Sequence, residues 1–390
     1  MSNQHAAPEA SEPDIQAEIS ARLNERIRGE ITAAGGLLPF DRFMELALYA
    51  PGLGYYVAGA QKLGAAGDFV TAPEVSALFG RCVGNQCAEV LQELGGGDVF
   101  EIGAGSGALA VHILAHLEQI GTLPHRYRIL EPSPDLQARQ RALLRAEIPQ
   151  LAERCEWLVD LPRDLRGAVV ANEVLDAMPV HRFQVGPAGT ILEVFVSNAG
   201  ERLTEITAPP RSPGLTAAVA ALQSEGLACA HGYSSEVNLR LAPWMKALAD
   251  SLTAGLVLLI DYGYPRSAYY QADRHMGTLM CHYRHQAHDD PYRRLGLQDI
   301  TAHVDFTAVV EAGAAAGLEL EGFTTQANFL IGCGIDHILA DAEESLDLAQ
   351  GVKQLLLPTA MGERFKVMGL GKKVSGPWSG FCVRDLSDRL

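Results

Sequence analysis

The chain is short of cysteine, of basic charge and of long hydrophobic runs, and each shortage narrows what it can be. Seven cysteines are scattered through 390 residues. Only Cys82 and Cys87 lie close together, and no CxxC occurs. That excludes a disulfide framework or a zinc ribbon and leaves reduced, mostly buried thiols. The strongest apolar run, Leu256–Ile260, suits a buried strand and falls far below the roughly 20 residues of a bilayer span. A soluble protein without membrane insertion is expected. The N-terminus has no apolar secretory core, and its acids Glu9, Glu12 and Asp14 are of the kind organellar leaders avoid. The expectation is a cytoplasmic protein. Lysine and arginine number 31 against 47 acids, for a formal charge of −16. Such a surface repels a polyphosphate backbone, which argues against nucleic acid as a partner. It suits a basic substrate segment, although solubility alone explains it equally well.

What is present reads as a folded α/β protein, with 48% hydrophobic and 20% charged residues. Ile15, Ile19, Leu23, Ile27 and Ile31 recur every four residues, as one helix face requires. Asp41 precedes Phe43, Met44, Leu46, Ala47 and Leu48 as an N-cap. Two loops follow, PGLGYY and GAAGDFVTAP, and then a helix from about Glu74. Beyond Asp98 the texture changes. The short apolar stretches VFEI, YRIL, CEWLV, AVVA and LVLLI alternate with helical or irregular segments, and RFKVMGLGK closes the series. This alternation predicts a parallel sheet covered on both faces, with ligands at the strand C-termini. The predicted organisation is a disordered tail (1–14), a helical N-terminal cap (15–95), a catalytic core (96–375) and a C-terminal tail (376–390). Within the core, 181–237 and 264–317 read as insertions over the ligand face.

Gly103, Gly105 and Gly107 follow the first of these strands and open a helix. Glycine permits a tight turn and lets a nucleoside approach the backbone with no Cβ in the way. Glu131 ends the next strand, where a carboxylate can hold both hydroxyls of a ribose. It lies 28 residues beyond Gly103, against about 20 in dinucleotide enzymes. Gly103-x-Gly105-x-x-Ala108 also satisfies the looser NAD pattern, so spacing alone does not choose between NAD and S-adenosylmethionine.

After AVVA come Asn172, Glu173, Val174, Leu175, Asp176, Ala177, Met178 and Pro179, at the ligand edge of a central strand. Glu173 and Asp176, three apart, share a face if the turn is helical. Paired carboxylates can fix a guanidinium through bidentate hydrogen bonds and draw its charge from the attacking nitrogen. The plainer reading is one helix-capping acid and one solvated acid. His282, His285 and His288, beside Cys281, invite a metal reading. Their spacing drifts around a helix and no HExxH anchors it, so a polar loop is expected and no metal. Tyr55 and Tyr56 read as lid residues or as core anchors.

Together the segments PFDRFMELALYAPGLGYY, GDFVTAPEVSALFG, FEIGAGSGALA, ANEVLDAMPVHRF, LIDYGYP, DITAHVDF and MGERFKVM resemble the MidA family of S-adenosylmethionine-dependent methyltransferases. They run in order from about Pro39 to Met368. The resemblance implies a Rossmann-like seven-stranded methyltransferase sheet, a helical cap, insertions after strands 4 and 5, and S-adenosylmethionine as cofactor. It implies methylation of a protein arginine, which in the mitochondrial branch belongs to a respiratory complex I subunit. By position, Glu101, Gly103, Gly105 and Gly107 would form the cofactor loop, Glu131 would hold the ribose and Asp160 would meet the adenine. Asp68, Phe69, Thr71 and Glu74 would close over cofactor or substrate from the cap. Asn172, Glu173 and Asp176 would face the accepting nitrogen. His303, with Asp305 in the same motif, would position substrate or accept a proton, or else hold its loop in shape. Asp261 and Tyr262 would wall the substrate cleft. Ala104 and Ser106 depart from the family's commoner residues, though the glycines carry the geometry. Two competing functions keep the cofactor: methylation of a small molecule or another side chain, and an assembly factor that binds a partner without turnover.

Overall fold

The computed structural model of the chain describes residues 12–57, 71–198, 200, 202–340 and 346–390. Its centre is one sheet made of β1 (Asp98–Ile102), β2 (Tyr127–Leu130), β3 (Cys155–Leu158), β4 (Leu165–Asn172), β5 (Leu252–Tyr264), β6 (Glu319–Thr325) and β7 (Phe365–Lys372). The order across the sheet is β3-β2-β1-β4-β5-β7-β6. The first five strands run parallel to their neighbours. β7 slots antiparallel between β5 and β6. The expected seven strands of a Rossmann-like sheet are found, and the short strand Val304–Asp305 pairs with the end of β5 as an eighth.

Strand periodicity decides which residue meets which layer. Ala168, Val170, Leu256, Leu258 and Ile260 face one side with helix Ala77–Glu93 and its neighbours. Val169, Ala171, Val257 and Leu259 face the other, packed on helices Leu241–Ser251 and Phe306–Ala315. The main helices ahead of β3 are α1 (Glu12–Ala33), α2 (Phe40–Tyr49), α3 (Ala77–Glu93), α4 (Ala108–Gln119) and α5 (Pro134–Glu147). α3 lies close on α4, because a Cβ added at Gly80 would stand 2.4 Å from the His112 Cβ. The chain leaves β1 for the α4 face, while helix Leu241–Ser251, downstream of β4, covers the opposite face. A crevice therefore opens between the ends of β1 and β4, the switch point where such sheets bind ligands.

The N-terminal region does not behave as one helical cap. α1 and α2 bury Leu23, Ile27, Ile31, Phe40, Phe43 and Met44 against Val180, Val196, Cys281 and Ile300 of the two insertions. Leu38–Pro39 even pairs as a strand with Ile191–Ser197. α3, by contrast, belongs to the sheet's own core. Pairing over two residues carries too little periodicity to be read from sequence.

The first insertion is a small antiparallel sheet, His181–Val185, Ile191–Ser197, Thr204–Ala208 and Ser234–Val237, with helix Leu215–Ser224. The second holds the hairpin Met280–Tyr283 and Gln286–His288, joined by Asp299–Thr301. His282 and His288 thus sit on strands and His285 at their turn, where a polar loop was expected. The C-terminal segment is no loose tail. Trp378 and Phe381 are buried in the core, and Leu386 N–H donates to Phe323 O at 2.6 Å. Among the described residues no helix is long and apolar enough to cross a membrane.

Candidate active site

The crevice is a cavity of about 290 Å³. Its walls come from the β1 turn, the end of β2, the segment after β4, and residues Tyr49, Tyr56, Thr71, Pro73, Glu74 and Asp299.

The β1 turn is built from left-handed glycines: Gly103 has φ 69°, Gly105 φ 54° and Gly107 φ 93°. A side chain there would be strained and obstructive. A Cβ on Gly103 would approach Val174 Cγ2 to 3.2 Å, and one on Gly107 would approach Gln140 Cγ to 3.3 Å. Beneath the turn, Glu101 is buried and accepts the Tyr127 hydroxyl at 2.7 Å. Burial pushes its proton affinity up to about 7. Glu131 is also buried, with its affinity raised by burial. One of its oxygens accepts Ser133 N–H at 2.9 Å and the other accepts Gln140 Nε2 at 3.2 Å. Gln140 also donates to Gly105 O at 2.9 Å and accepts from Trp157 Nε1 at 2.8 Å. One glutamine therefore ties the glycine turn to the acid at the end of β2. A carboxylate oxygen keeps a second lone pair after one such bond, so Glu131 can still take a diol from the cleft. A glycine cradle beside that carboxylate fits an adenosyl group.

On the far wall, Glu173 is a non-glycine residue at φ 54°. That strained backbone projects its side chain off the end of β4. The Glu173 N–H donates to Ile260 O at 2.9 Å. Its carboxylate accepts Asn172 Nδ2 at 3.2 Å and the backbone N–H of Ala72. Burial and the neighbouring Asp176 push its affinity up to about 8. Asp176 is 4% exposed, and its Oδ1 has no hydrogen-bond partner among the described residues. The Tyr262 hydroxyl donates to Asp176, and burial raises the proton affinity of that carboxyl. Asn172 Oδ1 likewise lacks a partner among the described residues.

Glu101, Gly103, Gly105, Glu131, Thr71, Asn172, Glu173 and Asp176 thus meet in one cleft, with Gly107 capping α4 just behind it. Asp160 is exposed and outside the cleft walls, because it sits in a bend beyond β3 rather than at the strand's ligand edge. His303 does not reach the cleft either. It lines a separate cavity of about 400 Å³, stacked on Tyr264 at 5.4 Å and edge-on to Tyr262 at 5.0 Å. Burial lowers its affinity to about 4, so it is neutral at physiological pH. Its link to the site is indirect, through Tyr262 to Asp176. Asp261 and Tyr262 stand behind Asp176 rather than on the cleft wall. Asp68 and Phe69 lie outside the described residues. Tyr55 is a core residue, whereas Tyr56 lines the cleft and donates to Asp299 Oδ1 at 2.9 Å.

Sequence reasoning missed Ser133, Gln140, Tyr49 and Asp299. Asp299 opens the DITAHVDF motif and was within reach; Gln140 sits mid-helix with nothing local to mark it.

Comparison with known proteins agrees with this geometry. Residues 82–324 match a family model described as "Putative S-adenosyl-L-methionine-dependent methyltransferase". A Burkholderia thailandensis protein crystallised bound to S-adenosyl-homocysteine is 40% identical with a TM-score of 0.92, covering 98% of this chain and 100% of that one. The rat protein named protein arginine methyltransferase NDUFAF7, mitochondrial, is 30% identical over 372 residues, covering 86% of this chain and 81% of its own. The human protein of that name is 29% identical over 376 residues, covering 86% and 80%. The rat and human relatives are named as mitochondrial, which overturns the cytoplasmic expectation drawn from the N-terminus.

Proposed function

Since this chain belongs to the MidA family of S-adenosyl-L-methionine-dependent methyltransferases, we propose that the acceptor of its methyl group is an arginine side chain of a protein. The observation that carries this reading is the charge of the cleft. Glu101, Glu131, Glu173, Asp176 and Asp299 line it together with Glu74, and no lysine, arginine or histidine lines it among the described residues. Burial raises the proton affinity of Glu101, Glu131, Glu173 and Asp176, and a cation that enters the cleft works against that rise. A guanidinium is such a cation, permanently charged and shaped for bidentate pairing. The names of the curated relatives support the same acceptor.

S-adenosylmethionine, when bound, supplies a methyl group already activated by its sulfonium. The chain's own residues supply alignment and charge. Gly103 to Gly107 and Glu131 would hold the nucleoside. Glu173 and the unpartnered Asp176 Oδ1 would grip the guanidinium fork, leaving positive charge away from the attacking nitrogen. That nitrogen gains a carbon and loses a proton. The Glu173 carboxyl, raised by burial in the empty cleft and ionised once the cation lies beside it, takes it.

Incubation with radiolabelled S-adenosylmethionine and a cell extract tests the reading. A labelled protein band that yields methylarginine on hydrolysis, and that disappears with Glu173→Gln, is expected. Label confined to small molecules sinks it.

A further inference from the structure

The single helical turn Ala72–Val75 touches both halves of the cleft, though it lies outside the sheet. At one end, the Ala72 N–H faces the Glu173 carboxylate and lowers its proton affinity. This is an amide that a helix start leaves without a partner, and the Thr71 side chain, at the N-cap position, does not take it. Glu173 therefore caps a turn that belongs to another part of the chain. At the other end, the Glu74 carboxylate accepts the Ser106 hydroxyl. Ser106 is part of the glycine turn, and its Oγ also accepts Ala108 N–H at 3.2 Å, at the start of α4.

The turn is stiff. Pro73 sits in its first positions. Glu74 and Val75 N–H donate to Thr71 O at 2.9 and 3.1 Å. Gly351 of helix Leu346–Leu356 presses on its far end, where an added Cβ would stand 3.0 Å from Ser76 Cβ. A stiff element fixed at two ends transmits position from one to the other. Apart from Ala72, Asn172 is the one donor to the Glu173 side chain among the described residues.

We propose that Glu74 is a positioning residue: by binding Ser106 it anchors the Ala72–Val75 turn on the cofactor loop, and the turn in consequence holds the Glu173 carboxylate in place through Ala72 N–H. The inference rests on Glu173 acting at the acceptor, but its contacts are measurable without an acceptor.

The variants are Glu74→Gln, Ser106→Ala and both together, with Glu74→Asp as a version that keeps the charge and loses the reach. Calorimetry with S-adenosylhomocysteine reads the cofactor end. Carbon-13 NMR of the Glu173 carboxyl, assigned by its loss in Glu173→Gln, reads the acceptor end. Each single variant is expected to weaken S-adenosylhomocysteine several-fold, with the double variant no worse than either single. The Glu173 titration should move up by about half a pH unit or more as its amide donor loosens. Where methyl transfer is measurable, kcat should fall with KM little changed, and the rising limb of the pH profile should shift by the same amount. Additive losses in the double variant, or a Glu173 titration unmoved in every variant, overturn the proposal. If the NMR shift appears but no protein is ever methylated, the arginine reading fails and the coupling stands.

Discussion

The Asp261 carboxylate holds Asp176 by its backbone: one oxygen accepts Asp176 N–H at 3.2 Å and Leu175 N–H at 2.9 Å. The other oxygen takes Tyr262 N–H at 2.9 Å. Asp261 ends the apolar run of β5, is 1% exposed and faces three donors. An acid at this point in the chain looks like a cleft wall, yet it is the peg on which the loop after β4 hangs.

Replacing that peg with Asn therefore turns an amide NH2 toward backbone donors. Asp261→Asn should lose about 1–3 kcal/mol of stability and, because Asp176 shifts, most of its methyl-transfer rate. Thermal unfolding and initial rates check this; a variant as stable and active as the parent refutes the role.

Cofactor affinity should depend on Glu131 more than on its support. Glu131→Gln is expected to weaken S-adenosylhomocysteine roughly 10- to 100-fold. Gln140→Ala, which frees both Glu131 and Gly105 O, should cost less. Isothermal titration decides, and an unchanged Kd for Glu131→Gln removes Glu131 from the cofactor site.

Gly103→Ala places a Cβ at φ 69°, 3.2 Å from Val174 Cγ2. A loss of about 1–2 kcal/mol in stability and at least about tenfold in cofactor affinity is expected, since the strained turn and Val174, which lines the cleft, must both give way. Denaturant titration with and without ligand separates the two effects.

Stability should fall as pH rises from about 6.5 to 8.5. Glu101 and Glu173 have affinities of about 7 and 8 in the fold, raised from 4.5. Such groups favour the folded state fully below about 4.5 and lose that contribution as pH climbs through 7 and 8. The buried histidines His112, His116, His181 and His303 act in the opposite sense, but their affinities are lowered from 6.5, so their effect is complete by then. Glu173→Gln should flatten the fall by about 1 kcal/mol or more. Melting curves across this range test it; identical slopes for both proteins would mean Glu173 is already ionised.

How much of this was legible beforehand follows from the range of each interaction. The sheet and the glycine turn were readable because strand periodicity and left-handed glycines are local properties. Glu131, Glu173 and Asp176 were readable because strand ends are. Gln140 was not, because its partners Gly105, Glu131 and Trp157 come from three other elements. His303 was placed with the cleft from its neighbours in sequence, yet the end of β5 and the small second insertion turn it toward another cavity. The cap divided for the same reason: α1 and α2 find apolar partners in segments more than a hundred residues away.

The opening between β1 and β4 has an evolutionary consequence. The glycine turn and Glu131 of the cleft are encoded before residue 150, and its Asn172, Glu173, Asp176 and Asp299 after 170. Under the proposed function, donor and recipient chemistry would be written largely in separate stretches of gene. A descendant can exchange its target by redrawing the later loops while inheriting the earlier machinery intact, and a chimera joined between β3 and β4 would recreate such a step at the bench.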